Sequence, residues 1–461
     1  MSASVLDLSL VPPLGEPRPA PVPEVHQTTL PNGLRLVVVP RPGVPLVELR
    51  LRVPFAASGP KKAAVHAART SVLTGSVLLG TAAHDQSGIA QAVQAHGGEL
   101  TVSADADRLL FSTTMLPDGL GAVLDVVAEL LVSATYPAGP VEAERSRVAE
   151  RIHIARSQPS VIARNALAAR RYGQHPYAQQ LASVDLVAAV TPAALRKLHR
   201  ARLLPAGSTL VLVGEVDPAA AVDTVGTALA GWVTEGEAVS AGPVPTLAPG
   251  PLELVHRPGA VQSNLRLGGP APSRTDPQLP AVRLASMVFG GYFSSRLVAN
   301  IRERRGYTYS PRSGVEHLMA GSSFTVEADV ATAVTGPALL EIWYELGRMA
   351  LTSVTEAELE SARRYLLGTL ALGTATHSGL ASTLSALLGA GLSADWLADH
   401  QRALATVSID EVVEASRRWL SPAGLTAVVV GDAGVAADQL RALGPVEVTT
   451  SAAEADPEPP A

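Results

Sequence analysis

The sequence predicts an α+β protein of two homologous domains, each a largely antiparallel sheet covered by helices. The main observation is an internal repeat: residues 39–51 align without a gap to residues 255–267, with seven of thirteen positions identical. A second match aligns residues 205–216 with residues 422–433, so the two offsets are 216 and 217 residues. A repeat of this length is too long for a solenoid unit and is typical of a duplicated domain.

The order of strand and helix patterns in the first half supports the same fold class. Residues 34–53 alternate in polarity and predict a β-hairpin that turns at Pro42-Gly43. Residues 101–116 predict a second antiparallel pair. Strands that are segregated from long helices favour a sheet with helices on one face. The helical periods cover residues 119–134 and 139–157.

Composition along the chain predicts where the domains begin and end. The two homologous domains are expected at residues 26–232 and 252–446. Between them, residues 233–251 are rich in Gly, Pro and Ala and lack a hydrophobic period, which is typical of a linker. A Pro-rich segment over residues 1–25 and an acidic segment over residues 447–461 are expected to be disordered.

The composition indicates a globular protein and excludes several partners and sites. Hydrophobic residues make up 47% of the chain, charged residues 17%, and the net charge is −6. Without an overall basic field, neither a nucleic acid nor an anionic membrane is expected as a partner. The absence of cysteine excludes disulfides and thiolate metal ligands. The N-terminus lacks a basic region followed by a long apolar core, so we expect a cytoplasmic protein without a secretory signal.

The second half carries three motifs whose order resembles a known peptidase family. They are Ser295-Arg296-Leu297, Ile301-Arg302-Glu303 and Gly306-Tyr307-Thr308-Tyr309-Ser310. In this order they resemble the pitrilysin and insulinase family of zinc peptidases, which includes mitochondrial processing peptidase and its bacterial relatives. Further matches are "LPNGLRLVV" in the first half, "HPY" at His175 and the later "VLVG" strand. The resemblance implies that the two domains form half of a clamshell chamber.

The same resemblance implies that the zinc motif of the first half is missing. Active relatives carry His-x-x-Glu-His, in which two histidines on one helix face hold Zn²⁺ and the glutamate activates the bound water. When the motif is aligned on the Gly-Thr pair that follows it, the histidine positions correspond to Ser71 and Gly75. The general-base position corresponds to Thr74. The family's further glutamate, about 75 residues beyond the second histidine, corresponds to Glu150.

These degenerate positions also have simple structural explanations. Glu150 is explained equally well as a charge on a solvated helix face, paired with Arg147 or Arg151. Gly75 within a helix costs about 1 kcal/mol relative to alanine, and its expected use is to let a neighbouring element approach closely. His66 is interpreted as a surface or hydrogen-bonded histidine rather than a displaced ligand. One carboxylate cannot form a zinc site.

The resemblance assigns a catalytic role to Arg302 and Tyr309 of the second half. In relatives, an arginine and a tyrosine seven residues later reach the zinc centre. An arginine fork can hold substrate carbonyls, and a tyrosine hydroxyl can donate to the oxyanion of the tetrahedral intermediate. The alternative is a surface arginine and a tyrosine held by packing. Tyr307 replaces the usual leucine and is a second candidate for the tyrosine, although the spacing favours Tyr309.

The resulting hypothesis is a noncatalytic subunit of a heterodimeric bacterial zinc peptidase. It is inactive alone and pairs with an H-x-x-E-H subunit that carries the zinc, while this chain holds no cofactor. The substrate is a peptide, bound as an added strand on a sheet edge of the partner. The alternative is a structural or peptide-binding scaffold subunit that makes no catalytic contribution. A lone enzyme is disfavoured because no P-loop, nucleotide fingerprint or Ser-His-Asp order is present.

Overall fold

The computed structural model describes residues 24–233 and 236–450, which form two six-stranded sheets. The first sheet has the strand order β1-β2-β6-β3-β5-β4. β2 and β6 are parallel, and all other neighbouring strands of this sheet are antiparallel. The strands are β1 His26–Thr29, β2 Arg35–Pro40, β3 Val47–Pro54, β4 Thr101–Ala104, β5 Arg108–Met115 and β6 Thr209–Gly214.

The second sheet repeats this topology with the order β12-β7-β11-β8-β10-β9. Here β7 is parallel to both β11 and β12, and the other pairs are antiparallel. The predicted α+β class and the two related domains are therefore confirmed, with mixed sheets that are mainly antiparallel. The strands are β7 Leu252–His256, β8 Gln262–Ala271, β9 Arg312–His317, β10 Ser322–Ala331, β11 Thr426–Gly431 and β12 Val446–Thr450.

Helices cover the sheets in both halves, and two predicted helical segments are present as α3 and α4. In the first half the helices are α1 Pro60–Ser76, α2 Gln86–Gln94, α3 Leu120–Ser133, α4 Ala138–Ser157, α5 Pro159–Tyr172, α6 Val184–Ala188, α7 Pro192–Arg202 and α8 Pro218–Ala228. In the second half they are α9 Leu279–Ser286, α10 Thr335–Leu351, α11 Glu356–Gly373, α12 His377–Gly389, α13 Trp396–Thr406, α14 Ile409–Trp419 and α15 Ala433–Arg441. Two π-helical segments, Met287–Gly291 and Val298–Arg304, follow α9.

The predicted hairpin over residues 34–53 is wrong. β2 and β3 do not pair with each other, because β6 lies between them, parallel to β2 and antiparallel to β3. All six residues of β6 are buried. This apolar strand therefore lies in the centre of the sheet, between the two strands that were expected to form the hairpin. The predicted antiparallel pair over residues 101–116 is confirmed as β4 and β5.

The outermost strands show where the duplication ends and correct one predicted boundary. In the first sheet the outer strand is β1, which precedes β2 and runs antiparallel to it. In the second sheet the same place is taken by β12, which comes from the end of the half and runs parallel to β7. Residues 447–450, expected in a disordered tail, therefore belong to a strand. The expected tails at residues 1–23 and 451–461 lie outside the described residues.

The two halves exchange one helix each across their seam. α5 of the first half packs on β8 and β11 of the second sheet, and α12 of the second half packs on β3 and β6 of the first sheet. The opposite face of each sheet packs on its own helices and forms the main core of that half. Each sheet is thus covered on both faces, and the exchanged helices join the halves.

The described residues contain no single helix that is both long and apolar enough to cross a membrane. One strongly bent pair, Pro117–Ser133 with Ala138–Ser157 at 91°, passes by length and composition only.

Candidate functional site

The degenerate motif positions lie near the end of α1, beside an open cavity of about 730 Å³. Ser71, Thr74 and Gly75 all line this cavity. The hydroxyl of Ser71 donates to the Ala68 carbonyl at 2.9 Å, and that of Thr74 donates to the Thr70 carbonyl at 2.7 Å. Both hydroxyl protons are therefore used within the helix.

A buried carboxylate takes the space that a side chain at position 75 would need. A Cβ placed on Gly75 would overlap the carboxylate of Glu144 on α4. Glu144 pairs with Arg147 at 2.9 Å and with Arg151 at 3.1 Å. Glycine at position 75 thus lets a paired carboxylate approach α1, and a histidine there would have to displace it.

Glu150, the glutamate suggested by the family resemblance, does not line this cavity. Its side chain is exposed, and the neighbouring Arg147 and Arg151 pair with Glu144 instead of with Glu150. Six residues along an α-helix correspond to a rotation of about 240°, so positions 144 and 150 cannot share a face. Glu144 follows the buried period of α4 with Val148, and this period is the sequence signal that could have identified it.

The residues around this cavity do not fit a zinc ion. Ser71 and Gly75 offer no imidazole. The two carboxylates of the lining are already paired with arginines, Asp105 with one and Glu144 with two. No group of three or more His, Cys, Asp or Glu side chains suited to a metal occurs within residues 24–233 and 236–450. His66 lines the cavity, but its Nε2 lies 2.7 Å from the Phe55 carbonyl and therefore carries a proton that it donates. Burial lowers the pKa of His66, which keeps the ring neutral.

The second candidate group is built around Arg302 in the π-helical segment. Its guanidinium lies between two aromatic rings, with Cζ 4.9 Å from the Phe293 centroid and 4.6 Å from the Tyr309 centroid. Both rings are largely exposed, Phe293 at 64% and Tyr309 at 80%. Nε lies 3.0 Å from the Glu303 carboxylate. Neither terminal nitrogen hydrogen-bonds to any described residue, so both remain available to a ligand.

The two candidate tyrosines have different environments. Gly306 adopts a left-handed conformation, with φ +65°, directly after the π-helical segment. Beyond this turn, Tyr307 packs partly buried against the second core, with its backbone N–H donating to the Ile301 carbonyl. Tyr309 is the tyrosine that stacks on Arg302. Phe293, the other ring of the stack, was not identified from the sequence, although an apolar side chain between Gly and Ser residues was a usable signal.

Buried hydrogen bonds of Arg296 and Asn300 hold the segment in place. Arg296 is buried and donates to both oxygens of Glu358, at 2.7 and 2.9 Å. Glu358 in turn caps α11 with Thr355. The Arg296 guanidinium lowers the pKa of Glu358 to about 2. Asn300 donates to Glu345 at 2.8 Å. These buried bonds fix the backbone that carries Arg302.

The two candidate groups are separate in this chain. Arg302 and Tyr309 are not among the residues that line the cavity beside Gly75. From the second half, only Leu318 lines it.

Two models of one protein family match consecutive parts of the chain. One, described as "Insulinase (Peptidase family M16)", matches residues 75–185, and another, described as "Peptidase M16 inactive domain", matches residues 189–366. The chain belongs to peptidase family M16. The suspected membership in the pitrilysin and insulinase group is thus confirmed.

Two relatives of similar length are named as uncharacterized zinc proteases. An uncharacterized zinc protease of Mycobacterium leprae is 27% identical over 353 residues, which cover 76% of this M16 chain and 79% of the relative. An uncharacterized zinc protease of Streptomyces coelicolor is 27% identical over 403 residues, which cover 85% and 86%.

Solved structures share the M16 fold over almost their whole length. A peptidase M16 inactive domain from Pseudomonas fluorescens superposes with a TM-score of 0.79 at 24% identity, covering 88% of this chain and 98% of that one. A protease from Helicobacter pylori superposes with a TM-score of 0.81 at 18% identity, covering 89% and 100%. At these identities the comparison shows the fold alone.

Proposed function

We propose that this M16 chain is the noncatalytic subunit of a heterodimeric zinc metallopeptidase and supplies Arg302 and Tyr309 to its partner's zinc centre. The observation that carries the proposal is the partly exposed Arg302 guanidinium, held between two rings with its terminal nitrogens unpartnered among the described residues. An arginine with a structural role is tied by carboxylates, as Arg296 is by Glu358. Arg302 contacts the Glu303 carboxylate only through Nε, and its two terminal nitrogens are left without a partner among the described residues.

The chemistry of this pair suits transition-state stabilisation. A guanidinium presents two parallel N–H donors that match a carbonyl or carboxylate oxygen of a bound peptide. The Tyr309 hydroxyl can donate to the oxyanion that forms when water attacks the scissile carbonyl. Stacking on Phe293 and Tyr309 fixes the plane of the guanidinium before the substrate arrives, which reduces the entropy lost on binding.

The partner supplies what this chain lacks. It is an H-x-x-E-H subunit of similar length, it holds the zinc ion, and it binds the peptide substrate along a sheet edge. The first half of this chain does not fit zinc, since Glu144 and its arginine partners take the place of ligands. Peptidase activity is therefore expected only from the pair.

The test begins with co-expression of this chain and an H-x-x-E-H chain encoded beside it. We expect a one-to-one complex by native mass spectrometry, one zinc per pair by elemental analysis, and cleavage of quenched fluorescent peptides that neither chain performs alone. Stoichiometric zinc on this isolated chain would contradict the proposal.

Substitutions in the same complex test the role of the pair. Arg302→Ala and Tyr309→Phe are expected to abolish most activity without changing zinc content or complex mass. Arg304→Ala and Tyr307→Phe are the matched controls, because Arg304 is an exposed neighbour and Tyr307 packs on the core. A fully active complex that carries Arg302→Ala would favour the scaffold alternative.

A further inference from the structure

A second cavity lies in the seam between α5 and the second sheet and has a volume of about 150 Å³. Three arginines line it: Arg164 and Arg171 from α5 and Arg266 from β8. Glu316 and Glu327 line the same cavity. Because α5 belongs to the first half and the sheet to the second, any ligand bound here would contact both halves.

Arg266 is the most buried group of this cavity and has an unused donor. The residue is 4% exposed. Its Nη1 donates to Asp329 at 2.8 Å and to the Leu265 carbonyl at 2.8 Å. Its Nε has no hydrogen-bond partner among the described residues, and the nearest carboxylate oxygen, on Glu327, is 3.8 Å away. A buried N–H of a charged guanidinium that has no partner lowers the folding stability by more than an unsatisfied neutral donor does.

The duplicated arginine of the first half shows how such a group is normally satisfied. Arg50 occupies the equivalent position of the repeat, under α12. It donates to Ser378 at 2.7 Å and to Ser382 at 3.3 Å, both on α12. In the second half, the covering helix α5 contributes Arg164 and Arg171 instead of hydroxyl acceptors. Three arginine side chains therefore line one cavity.

Arg171 is held close to the sheet by glycine. A Cβ on Gly268 would lie 2.9 Å from the Arg171 Cδ, so the arginine stem passes directly over this position. Nη1 of Arg171 donates to the Ser323 hydroxyl at 2.6 Å. Burial lowers the pKa of Arg171, against the opposing effects of Tyr172 and Glu316. The charged form therefore lacks full compensation from the protein.

The carboxylates near the cavity are mostly engaged elsewhere. Glu327 pairs with the exposed Arg312 outside the cavity, and Asp329 accepts from Asn264 at 2.6 Å as well as from Arg266. Glu316 is the one remaining acid of the lining. These three acids carry three negative charges, whereas Arg312 and the three lining arginines carry four positive charges. One positive charge therefore remains in excess.

We propose that this cavity binds a small oxyanion, the phosphate or carboxylate group of a ligand, between Arg171 and Arg266, with Arg164 at its mouth. Guanidinium groups bind such anions through paired, charge-assisted hydrogen bonds. Gln180 and Leu318 line both this cavity and the larger one beside Gly75. A peptide in the larger cavity could therefore extend a carboxylate into the oxyanion site. This inference does not depend on the proposed role of Arg302.

The test uses thermal unfolding of the full chain at constant ionic strength. In one titration, inorganic phosphate replaces chloride. In a second titration, a short alanine peptide with a free C-terminal carboxylate is compared with the same peptide that ends in an amide. We expect a saturable rise in Tm with phosphate or with the free-carboxylate peptide. A rise with phosphate identifies a free anion, and a rise with the peptide alone identifies a peptide carboxylate. No saturable rise with either would overturn the proposal.

Substitutions of the lining arginines test whether the rise in Tm comes from binding in this cavity. Arg171→Gln and Arg164→Gln are expected to raise the half-saturating ligand concentration about tenfold, and Arg171→Lys to raise it less, since it keeps the charge but loses the fork. Arg200→Gln, at an exposed position, is the control and should leave it unchanged. If Arg171→Gln does not fold, Arg171→Lys and Arg164→Gln decide. An unchanged half-saturating concentration in every folded variant would overturn the assignment.

Discussion

The two halves of the chain share a strand topology but differ in the stretch that the family resemblance aligns with the zinc motif. Residues 71–81 of the first half correspond to residues 287–297 of the second, at the repeat offset. In the first half this stretch completes a regular helix that packs closely against a paired carboxylate. In the second half it is π-helical and continues into an exposed turn that carries Phe293.

This difference shows that duplication preserved the sheets while the site residues diverged. Burial enforces the apolar pattern of the central strands in both halves, because their side chains lie in the main core of each half or under the exchanged helices. No such constraint acts on side chains beside an open cavity or on an exposed turn. The first half therefore keeps its fold although Ser71 and Gly75 offer no imidazole, while the second half presents Arg302.

The largest predicted effect tests the comparison between the half with the degenerate motif positions and the half that presents Arg302. In the active complex, Arg302→Ala is expected to reduce kcat/KM about 100-fold, the usual loss when one oxyanion-stabilising donor is removed. Thr74→Val, at the general-base position of the first half, should leave kcat/KM unchanged because the hydroxyl bonds only to its own helix. Steady-state kinetics on one peptide measures both. Equal losses in the two variants would mean that the first half takes part in catalysis.

The second prediction compares the duplicated arginines at the seam. Arg50→Met leaves Glu48, whose side chain is 6% exposed, without its cation, and is expected to cost about 3–5 kcal/mol of unfolding free energy. Arg266→Met should cost less, about 1–2 kcal/mol, because Asp329 is 47% exposed and keeps its bond from Asn264. Equilibrium urea unfolding compares them. A larger cost at Arg266 would contradict the idea that its donors are incompletely used.

The third prediction tests the exchanged helix α12. A Cβ on Gly389 would overlap the buried Arg52 side chain of the first sheet, so Gly389→Ala is expected to cost about 1–3 kcal/mol through overpacking. Gly368→Ala on α11 is the matched control, since a Cβ there meets nothing within 4 Å. It should stabilise the chain by about 0.5–1 kcal/mol. Melting temperatures that change in the same direction for both would contradict the close approach at Gly389.

The sequence predicted the fold better than the order of its strands. The repeat was visible because the buried strands keep similar apolar residues in both halves, as in the strands β6 and β11. The hairpin prediction failed because local alternation carries no information on β6, which enters from the far end of the half. The strand β12 was missed because Val446–Thr450 is short and lies next to an acidic segment.

The candidate sites were predictable only where side-chain identity decides them. The absence of ligands at Ser71, Thr74 and Gly75 follows directly from residue type. The family's downstream glutamate was assigned to Glu150 by counting residues along the chain. In the structure, the helical rotation of α4 places Glu144 at the cavity instead. The stacking of Phe293 on Arg302 depends on the turns around the π-helical segment, which single-sequence patterns do not specify.

The smallest predicted effect concerns the ion pair that anchors the Arg302-bearing segment of the second half. Arg296 lowers the pKa of Glu358 from 4.5 to about 2 in the folded chain. A lowered folded-state pKa stabilises the protein above the unfolded value, and this contribution disappears as the pH falls from about 4.5 to about 2. Since Glu358 is partly exposed, we expect about 1 kcal/mol at neutral pH. Glu358→Gln should therefore lower Tm at pH 7 but have little effect near pH 2, whereas Glu356→Gln, exposed on the same turn, should show no such pH dependence. A Tm difference for Glu358→Gln that is constant from pH 7 to pH 2 would mean that the pair with Arg296 contributes through packing rather than charge.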